Sequence, residues 1–300
     1  MKKFLLITFT LLVSFGSWAE TALYTSSGKK FEITDVEGAM SEIFDEAIKP
    51  RYINIFVHGR GKHPEKGLEV IPEIEKKHGV KVLMFHWPSW ESALERPLAD
   101  AVESGNDLNA FLLELNAYVR RHPIKMFGVK LSMLVHSMGN IVFRSMIENH
   151  YMGDFKWNLF STLTLNAADL PMKRHDEWVS KIDFSKSVFI TYNDDDVVLY
   201  GSEQLDRFNK DFEEFEGPRL GRNLGKYLKK NKVGRAPNAV YLDFSKLTFG
   251  GHRHYLVKDK KKNEVLKETF TSLLRGKKPR LDRKNGVYKF FKNIFFFKRP

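Results

Sequence analysis

The 300-residue chain contains no cysteine. That excludes disulfide cross-links, a thiolate nucleophile, cysteine-based zinc sites and a lipid-modified cysteine. Stability must come from a packed core, and 42% hydrophobic residues suffice for one large α/β domain. The ten histidines include no His-x-x-x-His pair, so no metal site is expected. Beyond the N-terminal segment no stretch offers the roughly 20 consecutive apolar residues of a membrane-spanning helix.

A large excess of either charge is also lacking over most of the chain, although the total is +12. Residues 276–300 carry +8 and residues 217–236 carry +7; with Lys2 and Lys3 set aside, the body is left near −5. This excludes a uniformly basic, nucleic-acid-binding fold. Lys2 and Lys3 precede the apolar stretch Phe4 to Phe15, followed by the small-x-small pattern Ser17-Trp18-Ala19. The pattern predicts a signal peptide over 1–19 and an exported chain from Glu20, periplasmic or secreted.

What is present is a repeated alternation of strand and helix signals. Strands are predicted at 52–57, 80–85, 131–135, 160–165, 187–192 and 239–244, and helices at 68–77, 107–119 and 264–274. Such alternation implies an α/β fold, a mostly parallel sheet flanked by helices on both faces, in a single domain over 20–275. Within it, 217–236 combines four glycines with Arg219, Arg222, Lys226, Lys229, Lys230, Lys232 and Arg235. This reads as a mobile basic flap able to attract acidic substrates or anionic head groups. In the tail, 276–300, Val287, Phe290, Phe291, Ile294 and Phe295 fall at helical spacing. That predicts a basic, aromatic amphipathic helix, which could lie peripherally on an anionic membrane surface or pack against its own domain.

In a parallel sheet reactive groups belong beyond the strands' C-terminal ends. The run Leu131 to Val135 stops at His136-Ser137-Met138-Gly139-Asn140, which reads as a sharp strand-to-helix turn presenting Ser137 as a nucleophile. The Met138 amide is the expected oxyanion donor, joined by the loop His58-Gly59-Arg60-Gly61 after the first long strand, with Gly59 and Arg60 as the donors. The segment Asn193-Asp194-Asp195-Asp196 offers acids after a later strand, and Gly251-His252-Arg253-His254 offers two histidines after the last. A serine hydroxyl is a weak nucleophile until a histidine takes its proton and a carboxylate fixes that ring. Serine, acid and histidine occur here in that order, and chemistry of this kind calls for no cofactor.

The segments Ile53–Gly61, Phe85-His86-Trp87-Pro88-Ser89, Val135–Asn140, Asn166-Ala167-Ala168-Asp169 and Asp196–Ser202 resemble the α/β-hydrolase superfamily. In particular they are similar to a bacterial branch of lipase- or esterase-like serine hydrolases with F-x-W-P-S and H-S-M-G-N motifs. The resemblance covers most of 50–275. It implies Ser137 as nucleophile, the loop of Asp196 as acid and His252 as base, acting on a small-molecule or lipid ester. A D-x-x-L-x-x-S reading selects Asp196 and a D-x-V-V reading Asp195; Asp169 is a third acid, expected to order its loop, and His254 an alternative base. Val135 replaces the first glycine of the widespread G-x-S-x-G elbow. A thioesterase, amidase or peptidase could use the same groups, and a non-catalytic envelope protein could use the same scaffold to bind a membrane or partner.

Overall fold

A computed structural model describes residues 20–45, 50–61, 67–92, 94–153, 155, 158–208, 214–230, 232–258 and 263–298. The expected signal peptide, 1–19, lies outside the described residues. The strands form one ten-stranded sheet. In chain order they are β1 (Ala22–Tyr24), β2 (Lys30–Phe31), β3 (Tyr52–Val57), β4 (Lys81–His86), β5 (Lys130–His136), β6 (Thr162–Asn166), β7 (Val188–Tyr192), β8 (Ala239–Asp243), β9 (Val287–Phe291) and β10 (Ile294–Phe297). Across the sheet the order is β2-β1-β4-β3-β5-β6-β7-β8-β10-β9. The six strands from β4 to β8 in that order are parallel, with antiparallel β1 and β2 at one edge.

Parallel strands require crossovers, which carry the helices: α1 (Val36–Asp45), α2 (Val70–His78), α3 (Leu98–Arg121), α4 (Gly139–Ser145), α5 (Val197–Phe208), α6 (Leu224–Lys229) and α7 (Glu264–Leu274). Strand side chains alternate between two cores. Along β5, Leu131, Met133 and Val135 join Leu108, Phe111 and Ile141 of α3 and α4. Leu134 joins Ile71, Ile74 and Phe270 of α2 and α7 on the opposite face. The polar residue in this strand has a use: Ser132 Oγ receives Asn54 Nδ2 at 2.8 Å and donates to the Leu274 carbonyl at 2.6 Å, satisfying the end of α7.

Helix α3 begins nine residues before the predicted start, because Gly105 is not a breaker here. A Cβ on Gly105 would stand 2.8 Å from Met146 N and 2.7 Å from Ser145 Oγ; its absence lets α3 press against the turn that follows α4.

The expected tail helix is not formed. Residues 287–297 make a hairpin in which Ile294, Phe295 and Phe296 pair in parallel with Tyr241, Leu242 and Asp243 of β8. Eight of these eleven residues are β-branched or aromatic, and such residues favour a pleated surface with a partner edge. Val287, Ile294 and Phe297 are buried, while Phe290 and Phe291 are exposed. The tail therefore extends the domain's sheet rather than standing apart from it.

Candidate active site

Between the last residue of β5, His136, and the first of α4, Gly139, the chain has two residues in which to reverse. Ser137 absorbs the reversal with φ 53°, a left-handed conformation that costs a non-glycine residue roughly 1–2 kcal/mol. Asn140 steadies the turn, its Nδ2 donating to the carbonyls of Val135 at 3.1 Å and Ser137 at 3.0 Å. The tight approach falls at Gly139, where a Cβ would stand 2.6 Å from the His58 carbonyl oxygen. Val135 lies within β5, in register with Val57 and Leu165, and so needs no glycine. Met138 is buried and sits at the N-cap of α4, where its amide has no partner within the helix.

The loop after β3 lies directly against this turn. A Cβ on Gly59 would stand 2.6 Å from Ser137 Cβ and 3.2 Å from Ser137 Oγ, so only glycine brings the loop backbone this close. The Trp-Pro segment after β4 buttresses the loop: Trp87 Nε1 donates to the His58 carbonyl at 2.8 Å, Gly61 N to the Ser89 carbonyl at 3.2 Å, and Ser89 Oγ to the Gly61 carbonyl at 3.0 Å. His58 Nδ1 donates to the Gly59 carbonyl at 2.7 Å, which leaves Nε2 to accept from His86 Nδ1 at 2.9 Å. Burial lowers the pKa of His58 to about 4 and that of His86 to about 3, so both rings are neutral props.

Among the acids after β7, Asp196 is buried and Asp195 is exposed. Asp196 Oδ1 accepts the amides of Val198 and Leu199, both at 3.0 Å, at the start of α5. Its Oδ2 meets His252 Nδ1 at 2.8 Å. His254 is buried, its Nε2 3.1 Å from the Gly251 carbonyl and its ring against Phe244. Burial lowers its pKa to about 4. Ser137, His252, Gly59 and Arg60 line one cavity of about 780 Å³. No hydrogen bond joins Ser137 to His252 among the described residues; serine–histidine contacts commonly tighten only when substrate is bound.

Asp169 has a different position. Its amide donates to the Ser137 carbonyl at 3.2 Å, and its carboxylate lies between two arginines, Arg96 Nη2 at 3.0 Å from Oδ2 and Arg219 Nε at 3.1 Å from Oδ1. Burial alone would raise its pKa, but Arg96, Arg219 and the Ser202 hydroxyl outweigh burial and hold it below the ordinary carboxylate range. Both arginines also pair with Asp206. This cluster was not expected from the sequence, and it corrects the reading of 217–236 as a mobile flap. Arg219 is fully buried, Leu220 N donates to the Leu170 carbonyl at 2.8 Å and Gly221 N to the Ala168 carbonyl at 2.9 Å. Further on, Lys229 and Arg235 lie over the rings of Phe290 and Phe291 at 5.0 and 4.1 Å, so the two basic segments cover each other.

His136 was also missed as a site residue. Thr191 Oγ1 donates to Asn166 Oδ1 at 2.9 Å, and Asn166 Nδ2 donates to His136 Nδ1 at 2.9 Å, leaving the His136 proton on Nε2. Its ring lies 4.7 Å from that of His252, and burial, then the charges of His252 and Arg253, hold its pKa well below the usual value. The sequence signal was its position directly before the serine.

A mostly parallel sheet with a strained serine after its central strand and a buried acid–histidine pair beyond two later ones is the architecture of an α/β-hydrolase. Residues 37–208, more than half of the chain, match the family described as alpha/beta hydrolase of unknown function (DUF900), and the protein belongs to that family. The match spans the Ser137 turn and the Asp196 loop and ends before His252. No curated protein matches the chain. Similar solved structures include an esterase from Pyrobaculum calidifontis in a monoclinic form, 13% identical over 74% of this chain and 76% of that one, with a TM-score of 0.37. Another is a butyrate-bound esterase, Est2, from the planctomycete Thermogutta terrifontis, 11% identical over 59% of this chain and 78% of that one, with a TM-score of 0.28.

Proposed function

We propose that the protein is a serine hydrolase that cleaves carboxylic esters through an acyl-serine. The observation that carries this reading is the buried Asp196 carboxylate on His252 Nδ1 at 2.8 Å, in a ring that shares a cavity with the strained Ser137. Asp196 accepts a hydrogen bond from His252 Nδ1–H, which leaves Nε2 unprotonated as the base. Nε2 takes the hydroxyl proton as Ser137 Oγ attacks the ester carbonyl carbon, and the tetrahedral oxyanion is received by the Met138 amide and the Gly59 or Arg60 amide. Collapse expels the alcohol, which takes the proton back from His252. Water, deprotonated by the same ring, then attacks the acyl carbon; collapse breaks the bond to Ser137 Oγ, which takes the proton back from His252 as the acid departs.

We further propose export, which rests on the pattern from Lys2 to Ala19 alone; envelope-fraction protein beginning at Glu20 supports it, and full-length protein in the cytosol contradicts it. The catalytic reading is tested by rapid mixing with 4-nitrophenyl butyrate. A burst of nitrophenolate of about one equivalent per protein, absent in Ser137→Ala, is the expected result. Folded wild-type protein with neither burst nor turnover on the ester, its thioester or its anilide would favour the non-catalytic envelope role.

A further inference from the structure

Among the described residues, the wall of the Ser137 cavity carries three arginines, Arg60, Arg96 and Arg253, and one carboxylate, Asp169. The charge of Arg96 is balanced within the wall. It pairs with Asp169 at 3.0 Å and with Asp206, and Arg219 completes a buried group of two cations and two anions. Both Asp169 oxygens are engaged there, by Arg96, Arg219 and Ser202, so Asp169 acts on Arg60 through space without forming an ion pair with it.

Arg60 is held differently. Its Nη2 donates to the carbonyls of Ser92 and of Glu95, the latter at 2.8 Å, and its guanidinium lies 5.0 Å from the centre of the Trp90 ring. It forms no ion pair among the described residues, and its Nε has no acceptor. Burial, then the charge of Arg96, lowers the pKa of Arg60 below its ordinary value, and the nearby carboxylates of Asp169 and Glu91 offset this only in part. Arg253, beside His252, is exposed at the same cavity and also forms no ion pair among the described residues.

Among the described residues the wall thus presents two cations outside any ion pair, one fixed by backbone carbonyls and an aromatic face, the other at the rim. A guanidinium with spare donors matches the paired oxygens of a carboxylate or phosphate. Gly59 abuts Ser137, and Arg60, next to it in the same loop, lines the same cavity, where an acyl group on Ser137 would lie. We infer that the cavity selects esters carrying a second, anionic group, carboxylate or phosphate, which Arg60 binds with Arg253 at the rim. This assignment of substrate class rests on Ser137 being the nucleophile proposed above.

The test compares mono-4-nitrophenyl glutarate and 4-nitrophenyl 3-phosphonopropanoate with uncharged 4-nitrophenyl glutaramate. The expected result is a kcat/KM at least about tenfold higher for one of the anionic esters than for the amide. Arg60→Gln brings that ratio to within about threefold of unity, and Arg253→Gln, a change on an exposed side chain, lowers it as well. The relative rates of the two anionic esters say which anion the wall prefers. Equal turnover of charged and uncharged esters, or a preference that survives in a folded Arg60→Gln protein, would overturn the inference. Calorimetric titration of Ser137→Ala with monomethyl glutarate and with methyl glutaramate reads binding without turnover. About tenfold tighter binding of the anion is expected, and equal affinities would contradict the proposal. Anion binding with no ester turnover would sink the hydrolase reading and leave the anion site standing; turnover without charge preference would do the reverse.

Discussion

Strain at Ser137 persists because the residues around it leave the turn no cheaper geometry. Asn140 holds two of its carbonyls, and Gly139 and Gly59 admit backbone where any side chain would collide. Gly59→Ala puts a methyl 2.6 Å from Ser137 Cβ, and either the loop or the serine must shift. The expected outcome is a fall in kcat/KM on 4-nitrophenyl butyrate of about a hundredfold or more, because misplacements near 1 Å are costly at a reacting atom. Wild-type activity in this variant would show that the loop does not set the site. The serine and these glycines were legible in the sequence, since strand periodicity ends visibly at them. Choosing Asp196 over Asp195 was harder, because one step along a turn exchanges a buried carboxylate for an exposed one. The deciding signal is local all the same: Asp196 accepts the first free amides of α5, as a helix-capping residue should. The preference for His252 over His254 rests on resemblance, since both flank the same short turn and only the ring packing of His254 against Phe244 and Phe270 commits it to the core.

At the scale of elements, the six central parallel strands follow directly from runs of buried β-branched and apolar residues, and the structure moves their ends by at most two positions. The C-terminal hairpin was hidden for a physical reason. Spacing of three and four residues describes a helix only when the segment must satisfy its own backbone; here the open edge of β8, some fifty residues earlier, supplies the partner. Phe297 is fully buried and packs against Phe244 with ring centres 4.8 Å apart and the rings tilted by 49°. Phe297→Ala should cost about 3–5 kcal/mol in urea unfolding; a loss under about 1 kcal/mol would mean that the hairpin does not close this edge. The arginine–aspartate cluster was invisible for a similar reason. Arg96, Asp169, Asp206 and Arg219 come from four separate segments, and in sequence Arg219 looks like one more surface charge among the seven of its region.

Over the whole molecule, neutral buried histidines couple stability to pH. Burial lowers the pKa of His58, His78 and His254 to about 4 and of His86 to about 3, whereas in the unfolded chain each titrates near 6.5. The unfolded state therefore binds more protons. Their contribution is complete above about pH 6.5 and is lost as pH falls toward 4, with up to about 2 kcal/mol at stake per ring by pH 5. Thermal unfolding should show Tm falling steeply from pH 7 to pH 5; a flat profile over that range would mean that these rings are not buried neutral. The same scale governs the proposed chemistry, because Ser137, Asp196 and His252 stand on loops after β5, β7 and β8 and are brought to one end of the sheet only when it is assembled. The measurement that tests this most directly is labelling of the folded protein with a fluorophosphonate, read by intact mass and peptide mapping. One adduct per chain on Ser137, lost in Ser137→Ala and strongly slowed in His252→Ala, is the result predicted. Folded protein that takes no label, or takes it at another residue, would contradict the account.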